Sequence, residues 1–143
     1  MDFQWLEMRI EEEQERRQKE AKVLERLPLA LQEIGAELGE CVARYTAAFG
    51  PESAAIQAQN SKLRITAREQ RGGKWQPQSG VEVVSVPELP GFRIERDGQE
   101  ALTIEVGMLP NDKLYYRLDD QFLAMEDLSR RILDRTFFPR LPE

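Results

Sequence analysis

Histidine is absent from this 143-residue chain. That removes the commonest general base and the commonest metal ligand. Ser-His and Cys-His nucleophile pairs and zinc sites are thereby excluded within the chain. Carboxylates, Lys, Arg and Tyr remain. Glu33, Glu37 and Glu40 are spaced to share a helix face, but bundle metal sites built on such carboxylates also take histidine from Glu-x-x-His motifs. A solvated face is the expectation. Asp119, Asp120, Glu126 and Asp127 could gather around a hard cation, yet they read better as a helix cap followed by acids in its first turn. Neither phosphate-binding glycine motif occurs, and Gly72-Gly73-Lys74 is short enough to be only a turn. The one cysteine, Cys41, lies on an apolar helical stripe, so it forms no intrachain disulfide and is expected to act as a small hydrophobe. No catalytic residue, cofactor or metal site follows, and the expectation is a protein that is not an enzyme.

Two groups of residues suit binding. Phe3, Trp5, Leu6, Met8 and Ile10 form an apolar patch at the start of the chain, followed by the polar run Glu11–Glu20. An exposed patch of this kind marks a partner site. The second group is basic and lies on predicted strands: Lys62, Arg64, Arg68 and Arg117, with Tyr115 among them. Basic groups beside an exposed aromatic on a sheet can hold a single-stranded nucleic acid or a small anionic ligand. Glu82, Glu95 and Glu105 are expected on the same face. They can pair with those bases, and with Arg93 and Lys113, in a cross-strand ladder.

The elements that must position these groups follow from periodicity. Apolar residues recur at heptad spacing from Phe3 through Leu6, Ile10, Leu24, Leu27, Leu31, Ile34, Leu38, Cys41 and Tyr45 to Ala48, with Glu13, Arg17 and Glu20 in the inward slots between. Glu12–Arg16, Glu13–Arg17 and Glu15–Lys19 support that polar stretch as helix, each by about 0.2–0.5 kcal/mol. Pro28 predicts a kink or a stop, dividing an arm over residues 1–27 from a core helix over residues 28–49 that ends at Gly50-Pro51. Gly35 and Gly39 would admit a close neighbour. Residues 52–60 read as a short connection.

The period then changes to two. Strands are predicted at Lys62–Arg68, Val81–Val86, Phe92–Arg96, Ala101–Val106 and Lys113–Leu118, with Trp75–Gly80 as a loop and Asp97-Gly98 as a hairpin turn. Asp119 or Asp120 caps a helix to about Thr136, with Phe122, Met125, Ser129, Ile132, Leu133 and Thr136 on its inward side and Arg130, Arg131 and Arg135 in its last turns. Phe137 and Phe138 anchor the tail. The expected fold is one α+β domain over residues 1–143. It comprises a long kinked N-terminal helical region, an antiparallel meander of about five strands over residues 62–118, and a C-terminal helix over residues 119–136 packed on the sheet.

The net charge is −6. Residues 1–40 hold 11 acids and 6 bases, residues 41–80 hold 2 acids and 6 bases, and residues 81–143 hold 13 acids and 8 bases. An acidic whole argues against nucleic acid or an anionic membrane as partner. The start has neither a basic region nor an apolar core for a signal peptide, and no apolar run approaches a membrane span. Cytoplasm is the expected location. The function expected is a protein–protein interaction or assembly module, self-associating through its first helix as a homodimer or meeting another protein. The alternative is a small ligand or single-stranded nucleic acid on the basic outer face of the sheet.

Overall fold

The computed structural model describes residues 2–142. Its first element, α1 (Gln4–Phe49), is one continuous helix of 46 residues. The stop expected at Pro28 does not occur. Pro28 lies on the exposed side of α1, so the carbonyl of Leu24 that loses its partner can turn to water rather than stay buried without one. On the other side Leu27, Ala30 and Leu31 are buried across the same turn and hold the helix together.

Val23, Leu27, Ala30, Leu31, Ile34, Leu38 and Val42 are the buried residues of α1. This is a stripe of period 3.6, not the heptad. The difference is physical: a straight helix drifts about 20° per heptad. Over the length of α1 the inward position therefore moves from Leu24 to Val23 at one end and from Cys41 to Val42 at the other. Leu24, Cys41 and Tyr45 are half-buried at the margin, and Ala48 is exposed. No described residue before Val23 is buried. The first 19 or so residues of α1 thus form an arm roughly 28 Å long at 1.5 Å per residue.

The sheet has seven strands, all antiparallel and in sequence order. They are β1 (Ala54–Gln59), β2 (Lys62–Arg71), β3 (Lys74–Val86), β4 (Gly91–Arg96), β5 (Leu102–Met108), β6 (Leu114–Leu118) and β7 (Gln121–Leu123). The five expected strands are all present. Two more flank them. β1 occupies the expected connection and pairs with β2 from Ala54↔Ala67 to Gln59↔Lys62. β7 follows a two-residue turn made by Asp119 and Asp120, whose φ angles of 48° and 64° are left-handed. A hairpin turn of that kind favours Asp as readily as a helix cap does. The final helix, α2 (Met125–Phe137), consequently begins later than expected, after Ala124. Phe122 sits on β7 and is exposed, not in the core, and only Arg135 lies in the last turn of α2.

The expected loop at Trp75–Gly80 is the first half of β3. Ala67 pairs with Ser79 and Arg68 with Pro77, so Gln78 is the extra residue of a bulge. The bulge accommodates Pro77, which has no N–H to give. It also aims Gln78 at α2: the side-chain amide donates to the carbonyls of Thr136 (3.2 Å) and Phe137 (3.4 Å), and the Ser79 hydroxyl donates to Thr136 as well. These are C-terminal carbonyls that the helix itself leaves unpaired.

Both helices cover one face of the sheet. Leu63, Ile65, Val81, Val83, Phe92, Ile94, Ile104, Val106, Tyr116 and Leu118 meet Ile34, Leu38, Leu128, Ile132 and Leu133 in a single core. Two glycines are set by contact. A Cβ at Gly35 would meet the Leu63 side chain of β2 at 3.3 Å; one at Gly39 would meet nothing within 4 Å. At Gly91 it would lie 2.1 Å from the backbone oxygen of Ile104. Gly91→Ala is therefore expected to cost at least about 2 kcal/mol, since backbone must move. Pro28→Ala is expected to stabilise by about 1–3 kcal/mol by restoring the bond to Leu24. Urea unfolding of both variants measures these changes.

Candidate functional site

The arm brings Phe3, Trp5, Leu6, Met8 and Ile10 together at its tip, with exposures of 40–66%. Taken at 100° per residue, Phe3, Leu6 and Ile10 fall on one side of α1 and Trp5 and Met8 on the other. The tip is apolar on two opposite sides, with Gln4, Glu7 and Arg9 between them. Behind it the charges close on one another: Arg16 holds both Glu13 and Glu20, and Arg17 reaches Glu13 at 3.2 Å. Hydrogen bonds from Arg16 and Arg17 hold the Glu13 carboxyl well below the usual carboxylate range. The Asp2 carboxylate accepts from the Gln4 N–H at 2.9 Å and serves the helix start.

The basic residues of the sheet do not form one site. Lys62, Arg64 and Arg68 are on β2, while Tyr115 and Arg117 are on β6. With β3, β4 and β5 between them, the two groups are roughly 19 Å apart along the sheet. Within each group the charges are largely answered. Arg64 and Lys62 reach Glu82 at 2.7 and 3.9 Å, Arg117 holds Glu105, and Arg93 meets Glu95 at 3.3 Å. The Tyr115 ring covers Gly107 on β5 and meets Phe122 edge-on with centroids 5.1 Å apart.

Two hollows were not evident from the sequence. The first is an apolar groove of about 450 Å³ between the last turns of α1 and α2. Cys41, Tyr45, Ala48, Phe49, Leu133, Phe137 and Phe138 line it, with Glu37, Arg44, Glu126 and Arg130 at its rim. Tyr45 stacks on Phe137 with centroids 4.3 Å apart and touches Phe49 and Phe138 edgewise. Phe137 is buried as expected, whereas Phe138 is exposed at the groove wall. Burial raises the Cys41 thiol, and Glu37 and Glu40 raise it further, so it stays protonated and behaves as part of an apolar lining. The second hollow, of about 500 Å³, is polar and lies between the end of β4, β7 and α2. Arg96, Arg130, Arg131, Asp127 and Asp134 line it with Phe122. Adjacent arginines at 130–131 were the only signal for it in the sequence.

Of the three glutamates on α1, Glu33 accepts from the Tyr116 hydroxyl at 3.4 Å and Glu40 accepts from Arg44 at 3.1 Å. Burial and then the Glu33 charge push the Tyr116 phenol above its ordinary value of about 10. A raised pKa keeps the neutral form in the fold. Its stability contribution is therefore complete below pH 10 and is lost as pH rises through the folded value. Unfolding free energy should fall as pH rises above about 10, and Tyr116→Phe should flatten that fall while costing under about 1 kcal/mol at pH 7. Urea titrations at three pH values test it.

No helix among the described residues is long and apolar enough to cross a membrane. No protein-family model matches the chain, and neither a curated protein nor a solved structure resembles it significantly.

Proposed function

We propose that the chain is a non-enzymatic assembly module that pairs with a second copy of itself through the α1 arm. One observation carries the reading: five large apolar side chains sit at the start of a helix whose following turns, up to Val23, bury nothing against the body. Exposed apolar clusters on this scale are sites of association. A second copy is the favoured occupant because each copy carries both halves of a contact. The tip is apolar on two sides, so a flat surface would leave half of it wet. The groove between α1 and α2 has two walls and an aromatic floor.

The spacing supports an antiparallel pair. Trp5 and Cys41 are 36 residues apart on one helix, about ten full turns and about 54 Å. Met8 and Arg44 share that spacing. Tip and groove therefore lie on the same side of α1, and a two-fold relation between copies exchanges each tip for the other copy's groove, with the buried turns from Val23 to Ile34 left to the chain's own sheet. An isologous contact of this kind closes on itself and does not propagate.

Light scattering tests it. The full chain is expected at twice 16.6 kDa. Deletion of residues 1–22, which leaves every buried residue in place, should give a folded monomer. Trp5→Glu with Met8→Glu should weaken dimerisation by at least about a hundredfold, since two buried apolar side chains contribute about 1.5–3 kcal/mol each. A full chain that is monomeric at about 100 μM, against dimers tighter than the roughly micromolar range such a contact predicts, overturns the reading.

A further inference from the structure

We infer that the polar hollow between β4, β7 and α2 is a binding site for a small organic anion carrying a phosphate or similar multivalent oxyanion. Strand alternation puts Arg96 on the same face as Phe92 and Ile94, which are fully buried. The apolar row of β4 thus ends in a guanidinium directed to the helix-covered side. Arg96 is half-buried. Its Nη2 donates to the Glu100 carbonyl at 2.7 Å, but its Nε is shut off from solvent and has no acceptor. Buried donors are almost always satisfied, and one that is not points to a missing water or ion.

The helix supplies the rest. Arg130 and Arg131 face the hollow from α2. Nearly every other arginine of the chain has an ion pair or a carbonyl, including Arg135, whose Nη1 donates to Leu141 at 2.8 Å. Among the described residues only Arg68, Arg130 and Arg131 have neither, and two of those three meet in one hollow. Asp127 and Asp134 also line it. Against Arg96, Arg130, Arg131 and Arg135, all of which line it, these two carboxylates leave it net positive, on a chain whose net charge is −6.

Guanidinium forks match phosphate and carboxylate oxygens two bonds at a time. The volume of about 500 Å³ falls within the range of small-molecule sites. The acidic surroundings disfavour a long polyanion, whose field would meet the rest of the surface.

Titration calorimetry of the full chain with pyrophosphate at low ionic strength reads the inference. One saturable site per chain is expected. Arg130→Ala with Arg131→Ala, both exposed and outside the core, should weaken it at least about tenfold, while Arg68→Ala should leave it unchanged. Arg96→Met should weaken it too, with circular dichroism confirming the fold. Three results overturn it: no binding of pyrophosphate, equal affinity in the Arg130/Arg131 variant, or a single-stranded oligonucleotide binding more tightly than pyrophosphate. Because Arg130 also stands at the rim of the groove, Arg131→Ala alone, which lies off that groove, should weaken binding without changing the oligomeric state and so separates this site from self-association.

Discussion

The constraint on which the structure turns is the burial of one stripe of α1 against the sheet. Ile34 and Leu38 are shut off from solvent altogether, and Val23, Leu27, Leu31 and Val42 nearly so. Each such side chain contributes about 1.5–3 kcal/mol. That clamp fixes the axis of the helix. Because the helix continues through Pro28 without ending, the axis fixed by residues 23–42 also dictates where residues 4–22 must go. The arm is not an independent element that happens to be extended. Its direction is set by contacts made elsewhere.

The way charges are arranged separates the surfaces. On the arm, Arg16 and Arg17 are shared among Glu13 and Glu20; on the outer sheet face, Arg64 and Lys62 share Glu82. Exposed pairs of this sort contribute between 0 and about 1 kcal/mol, so they keep these surfaces soluble more than they hold the fold. Arg130 and Arg131 lie outside this pattern. Among the described residues neither has an ion pair or a carbonyl partner, and both lie on the side of α2 turned away from the core, with Arg130 also at the rim of the groove.

Much of this was legible in the residues, and the failures have physical causes. Strands with alternating large apolar residues, such as Leu63, Ile65 and Ala67 on β2, were plain. β1 was not, because Ala-Ala-Ile-Gln-Ala-Gln has one large apolar residue and gains its strand state from pairing with β2. The start of β3 was hidden by Pro77, which reads as a break unless the bulge at Gln78 is known. Asp119-Asp120 fits a helix cap and a hairpin turn equally, and only the partner strand decides between them. The apolar tip of the arm was visible because a polar run isolates it. The groove and the polar hollow were not, since each joins residues far apart in the chain through packing that no local pattern encodes.

A helix as exposed as the arm would be marginal alone, because starting a helix fixes several residues for a single hydrogen bond and is disfavoured by about a thousandfold. Here that step has been taken. Residues 23–42 are held helical by the core, so they act as a permanent nucleus from which the arm has only to elongate. Its turns form outward from the body and melt inward from the tip. The apolar residues sit at the end that frays first, and whatever covers Phe3 to Ile10 also closes the last turns of the helix. Occupancy of the tip can then be read from the helicity of the arm.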